Sequence, residues 1–136
     1  MTVMARIDSF RDLDVYQQAH KQARILFERS RQFPKEETYA LTDQVRRSSR
    51  AVTALLGEAW ARRRYKSAFI NKVSRALGEA METQVWLDHA RSCGSLEQDE
   101  YERFDEAWDH VGARLRRMIK RADGFCTNAP EGRGDR

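Results

Sequence analysis

Between Lys35 and Ser92 the chain has no proline and only two glycines, Gly57 and Gly78, so little interrupts a helix over nearly sixty positions. Within that stretch Leu41, Val45, Ser48, Val52, Leu55 and Ala59 recur at steps of four, three, four, three and four. This is a heptad seam five turns long. The basic run Arg62-Arg63-Arg64 interrupts it, and a second seam starts at Phe69 and continues through Val73, Ala76, Ala80, Thr83, Leu87 and Ala90. Two helices joined by a short turn follow from the spacing. Upstream, Leu13, Tyr16, Ala19, Ala23, Phe27 and Ser30, broadened by Leu26, predict another helix. Asp12 or Asp14 caps or charges its first turn, and Phe33-Pro34 ends it. Glu36 and Glu37 favour the next helix start. Downstream, Gly94 terminates the third helix and Ser95 caps a fourth, with Glu97 and Asp99 in its first turn. Its stripe is Tyr101, Phe104, Trp108, Val111, Leu115, Met118 and Ala122, and Gly124 closes it.

Four helices with short connections predict an all-α fold, an antiparallel up-down-up-down four-helix bundle over residues 1 to 125. Residues 126 to 136 have little to bury and are expected to be a disordered tail. With 136 residues, 40% hydrophobic, there is room for one modest core, which excludes a multidomain enzyme. No apolar run approaches the ~18 residues of a membrane span, and no signal-peptide core opens the chain. A cytoplasmic protein without a membrane partner is expected. Cys93 and Cys126 have neither CxxC pairing nor metal-ligand spacing and read as free thiols.

The net charge of +4 conceals blocks of opposite sign. Residues 44 to 75 hold nine basic side chains and one acid, whereas residues 76 to 110 hold two basic and ten acidic ones. Arginine supplies 20 of the 25 cations, and its planar fork suits bidentate pairing with carboxylate or phosphate. Three clusters emerge: Arg46 and Arg50, then Arg62, Arg63, Arg64 and Lys66, then Arg114, Arg117 and Arg121. The last two are expected at opposite ends of the bundle, giving each chain two basic patches that contact RNA or DNA phosphates without sequence preference. Pairing of these arginines with the 76 to 110 block, within or between subunits, is the alternative.

Enzymatic chemistry finds little support. The inward Glu-x-x-His motifs of di-iron bundles do not occur, since Gln17, Trp86 and Ala107 stand three before His20, His89 and His110. No G-x-S-x-G turn or phosphate-binding glycine loop is present. No catalytic residue, metal, cofactor or small-molecule substrate is therefore expected. Glu58, the only acid from 44 to 75, lies beside core positions and needs a partner: Arg62 one turn on, or Arg46 or Arg47 across the bundle. A structural ion-pair network of Glu58, Glu82 and Arg47 is the preferred assignment, with a metal or acid-base role for Glu58 and Glu82 as the alternative. Trp60, Ile70 and Trp86 lie off the main stripes and are candidate contacts between subunits of a homo-oligomer. A non-enzymatic interaction module fits these features, and a purely structural scaffold for a protein partner is the competing assignment.

Several segments resemble a known family. Phe10-Arg11-Asp12-Leu13-Asp14-Val15-Tyr16-Gln17-Gln18-Ala19 is similar to an opening F-x-D-L-x-V-W-x-x-A, Gln44-Val45-Arg46-Arg47-Ser48-Ser49 to Q-I-R-R-A-A, and Ala76-Leu77-Gly78-Glu79-Ala80-Met81-Glu82 to A-x-G-S-x-x-E. These motifs mark the four-helix-bundle family named for reading frames within intervening sequences of bacterial 23S rRNA genes, which is distantly related to the accessory variability determinant of diversity-generating retroelements. The resemblance runs from about Phe10 to Phe125. It implies an antiparallel bundle, often a homopentameric barrel, without established enzymatic activity; in the retroelement relatives a basic surface is associated with nucleic-acid and reverse-transcriptase binding. This chain departs from the pattern at Leu55-Leu56-Gly57-Glu58-Ala59, where the family has Asn-Ile-Ala-Glu-Gly, at Glu79 in place of Ser, and at Arg50 in place of an apolar residue.

Overall fold

The computed structural model describes residues 7–126. The four long helices are α1 (Asp14–Ser30), α2 (Asp43–Ala61), α3 (Lys66–Ser92) and α4 (Gln98–Lys120). Each packs on its two neighbours in a closed ring, α1 on α2, α2 on α3, α3 on α4 and α4 back on α1. Cross-helix pairs fix the directions. Arg47 and Ser48 of α2 meet Glu82 and Thr83 of α3, while Glu58, a few turns later on α2, meets Lys72, earlier on α3. Asp14 at the start of α1 meets Arg114 near the end of α4, and Arg29 at the end of α1 meets Glu100 at the start of α4. The fold is the expected up-down-up-down bundle.

All seven seam positions predicted for α3 are its buried residues, and Trp108, Phe69, Leu26, Leu56, Leu87 and Leu115 are the largest side chains fully inside. Each such side chain contributes about 1.5–3 kcal/mol by leaving water. Between them lies a polar pair, Ser48 and Thr83, both fully buried, with hydroxyl oxygens 2.9 Å apart. The stripe of α1 is rotated from the expected one. Val15 and Leu26 are buried, whereas Tyr16 and Phe27 are only half-buried at the rim. Positions one residue apart lie about 100° apart on a helix, so the neighbours α2 and α4 decide which edge of a broad stripe faces inward.

The helix ends also differ from expectation. Asp12 caps a short 3₁₀ turn, Phe10–Asp12, jointly with Ser9, and α1 itself begins without a side-chain cap. A 3₁₀ turn (Lys35–Glu37) and a wide π turn (Thr38–Thr42) precede α2 and bury Leu41 before regular helix begins. Gly94 ends α3 with φ of 81°, a left-handed conformation suited to glycine. Ser95 does not cap α4. Leu96 is drawn into the core, so the helix starts after it, with Glu97 and Glu100 forming a reciprocal capping box. α4 ends at Lys120 rather than Gly124, which lies within a last short turn, Ala122–Phe125. Cys93 and Cys126 form no disulfide; Cys126 packs against the core, and the rest of the expected tail lies outside the described residues.

Candidate nucleic-acid interface

Arg62, Arg63, Arg64 and Lys66 do not lie opposite Arg114, Arg117 and Arg121. In an up-down-up-down bundle α2 and α4 run in the same direction, so the C-terminus of α2, the turn after it and the C-terminus of α4 share one end. Lys66 Nζ lies 2.7 Å from Asp123, just beyond α4. Arg63 and Arg121 line one cavity with Trp60 and Phe125, and Arg114, Arg117 and Arg121 line the adjoining one. Seven predicted cations therefore converge on one basic end. Asp123 pairs with Lys66 and Asp14 with Arg114, while Arg62, Arg117 and Arg121 have no carboxylate at pairing distance among the described residues. Arg63 stacks over the Trp60 ring at 3.6 Å and donates from Nε to the Trp60 carbonyl.

Arg46 and Arg50 stand apart from that end. Both project from α2 toward α1, where their guanidinium carbons lie 4.6 and 4.9 Å from the centre of the Phe27 ring; Arg31 approaches the same ring at 5.2 Å. Each contact is worth about 0.5–1 kcal/mol at an exposed site. Arg46 Nε donates to Ser30 Oγ at 2.8 Å, and Ser30 Oγ donates to the Phe27 carbonyl at 2.8 Å. Neither Arg46 nor Arg50 has a carboxylate partner among the described residues. Among the described residues, Arg46, Arg50, Arg62, Arg63, Arg114, Arg117 and Arg121 form no ion pair with the acids of residues 76 to 110.

Those acids are engaged elsewhere. Arg47 bridges Glu79, at 3.2 Å, and Glu82, whose carboxylate also accepts from Trp86 Nε1 at 3.1 Å. The Trp86 and Arg47 hydrogen bonds hold the Glu82 carboxyl below the usual carboxylate range. Arg29 grips both Glu100 oxygens, at 2.7 and 3.0 Å, and lowers that carboxyl likewise. Acids gather around the α3–α4 connection, Glu97, Asp99, Glu100 and Glu102, away from the basic end.

Glu58 is not part of the Glu82 network. Its side chain is exposed and pairs with Lys72 at 2.9 Å, which lowers its carboxyl, instead of with Arg62, Arg46 or Arg47. The antiparallel register of α2 and α3 puts residue 58 beside residue 72 and residue 47 beside residue 82, so the two acids sit in separate pairs. Among the described residues no group of three or more His, Cys, Asp or Glu could hold a metal ion. Trp60, Ile70 and Trp86 are partly buried against the core. The larger apolar side chains left facing outward on α3 are Met81 and Val85, 50% and 48% exposed, in line with exposed Asn71, Ser74 and Gly78 at three- and four-residue steps. The rim position of Phe27 was not evident in the sequence, although Phe27/Arg31 and Arg46/Arg50 spacings of four were available to suggest it.

A closed antiparallel ring of four helices with one basic end defines a small all-helical bundle protein. Residues 11–117 match the 23S rRNA-intervening sequence protein family, and the chain belongs to that family. It is also similar in fold to a crystal structure of a protein with unknown function from the S23 ribosomal protein family of Bacteroides thetaiotaomicron, with a TM-score of 0.71 and 24% identity over 78% of this chain and 95% of that one. No curated protein matches the chain. Neither description names a reaction. No helix among the described residues is long and apolar enough to cross a membrane.

Proposed function

We propose that the protein is a non-enzymatic, self-associating bundle that binds RNA or DNA through its basic end. The observation that supports this most directly is the convergence of Arg62, Arg63, Arg64 and Lys66 with Arg114, Arg117 and Arg121 on one end. A surface of this kind takes up phosphates without reading bases, and its affinity falls as salt displaces it. Filter binding of structured RNA to the full-length chain across a salt series tests it. Arg117→Gln with Arg121→Gln lowers the slope of log affinity against log salt by about 1.8 on duplex, at about 0.9 per phosphate contact. Absent binding, or binding indifferent to salt, overturns the proposal.

Self-association is favoured by the outward seam of α3, because exposed apolar side chains at heptad spacing gain from a helix partner. The family resemblance points to a pentamer. Light scattering during size exclusion at micromolar concentration is the test: Met81→Glu with Val85→Glu dissociates the assembly, and a 15.9 kDa wild-type monomer overturns it. A scaffold for another protein, presenting the same seam, becomes the better description if the chain is monomeric and binds no polyanion.

A further inference from the structure

We propose that the groove between α1 and α2 holds single-stranded nucleic acid, with the three guanidiniums around Phe27 taking a backbone phosphate and offering flat faces to unpaired bases. This rests on the nucleic-acid function above and names the kind of strand. The Phe27 cluster stands away from the basic end, Arg50 lying twelve residues, about 18 Å of helix, before Arg62, while the Tyr16 end of the groove approaches it through Asp14 and Arg114.

Three features carry the assignment. First, like charges converge with one exposed carboxylate among three guanidiniums. Arg31, Arg46 and Arg50 all approach one half-buried ring within 5.2 Å, yet among the described residues only Arg31 has an acid, Glu28 at 3.6 Å, and both members of that pair are exposed. A phosphate placed among guanidinium forks relieves their repulsion and accepts paired hydrogen bonds. Second, the arrangement is set before any ligand arrives. Ser30, 2% exposed, accepts from Arg46 and donates to the Phe27 backbone, so one arm of the fan is tied to the helix that carries the ring. Third, the groove continues as a track rather than closing as a pocket.

From Phe27 the surface runs past Arg24, Arg50 and Thr53 to His20, around a shallow cavity of about 220 Å³ that is too small to enclose a typical small-molecule ligand. The His20 ring is tilted against Tyr16, with centroids 5.8 Å apart, so the rings of Tyr16, His20 and Phe27 share one face of α1 with Arg24 and Arg31. Tyr16 to Phe27 spans eleven residues, about 16 Å. At about 3.4 Å of axis per phosphate, that length accommodates about five nucleotides of a stacked strand. Bases held in a duplex have no free faces for such a track, whereas single strands bind by stacking on aromatic rings and guanidinium planes along a basic groove.

Fluorescence anisotropy on the full-length chain tests the assignment, using a short labelled oligouridylate, the same strand paired with oligoadenylate, and polyglutamate as competitor. The single strand is expected to bind more tightly than the duplex. Arg46→Gln with Arg50→Gln lowers the single-strand salt slope by about 1.4, at about 0.7 per contact. Phe27→Leu, which keeps apolar volume but removes the ring, weakens single-strand binding at least about fivefold, whereas Phe27→Tyr, which keeps the ring, retains it. Wild-type affinity in the Leu and Gln variants, together with loss in Arg117→Gln/Arg121→Gln, overturns the groove and leaves the basic end standing. No binding of either oligonucleotide by wild type overturns both. Equal losses in the Leu and Tyr variants, or displacement by polyglutamate as effective as by unlabelled oligouridylate, overturn the stacked-strand assignment.

Discussion

The Ser48–Thr83 pair allows a quantitative test of how α2 and α3 are joined. A threonine hydroxyl has one proton, and Thr83 Oγ1 donates it to the Glu79 carbonyl at 2.9 Å. In the 2.9 Å contact with Thr83, Ser48 is therefore the donor; its only other acceptor is its own Val45 carbonyl, at 3.4 Å. Ser48→Ala removes one neutral hydrogen bond and leaves Thr83 bonded to Glu79, at a cost of about 0.5–1.5 kcal/mol. Thr83→Val keeps the shape but leaves the fully buried serine hydroxyl only its long 3.4 Å contact with the Val45 carbonyl, costing about 1–3 kcal/mol. Combining them removes both polar groups from a dry seam, so the double variant is more stable than Thr83→Val alone. Urea unfolding at fixed protein concentration gives the three midpoints, with an unchanged m-value showing that the unfolded state is not the cause. Energies that add to within about 0.5 kcal/mol would refute the assigned proton direction and the coupling between the helices.

Other perturbations follow from single residues. Gly94→Ala forces a Cβ into the left-handed region and destabilises by about 1 kcal/mol, whereas Gly57→Ala, in mid-helix with nothing within 4 Å of the new Cβ, stabilises by about 0.5–1 kcal/mol; thermal melts with the same sign for both would contradict this. Trp108 Nε1 is buried without an acceptor among the described residues, so Trp108→Phe costs far less than the roughly 3–5 kcal/mol of Trp108→Ala, as urea midpoints will show. Glu82 and Glu100 have lowered carboxyl pKa values when folded, so their contribution is complete above the ordinary value near 4.3 and is lost as pH falls through the lowered values. Glu82→Gln flattens the decline of melting temperature below about pH 4, and an unaltered acid limb would remove Glu82 from that account.

The periodicity of α3 was sufficient to name its whole buried face because Phe69, Val73, Ala76, Ala80, Thr83, Leu87 and Ala90 keep steps of three and four without a break, and α2 and α4 both pack along that face. α1 offers two overlapping stripes, one through Tyr16 and Phe27 and one through Val15 and Leu26, and sequence spacing cannot choose between them without knowing where α2 and α4 press. That same ambiguity concealed the candidate groove: Phe27 counted as core has no arginines around it. Arg50 was the available signal, a cation where the resembling family places an apolar residue. The shared end of the two arginine clusters was recoverable in principle, since alternate helices in an up-down ring run the same way. The partners of Glu58 and Glu82 required the α2–α3 register, which no local pattern encodes.

The polarity of α4 has an electrical consequence. Asp99 and Glu100 open the helix, and Arg117, Lys120 and Arg121 close it about 30 Å away. At physiological ionic strength the screening length is about 8 Å, so nearly four screening lengths separate the two. Charge changes at the α3–α4 connection are therefore almost invisible to a polyanion at the basic end. The helix keeps its termini mechanically continuous but electrostatically isolated, and each end can be altered while the field of the other stays as it was.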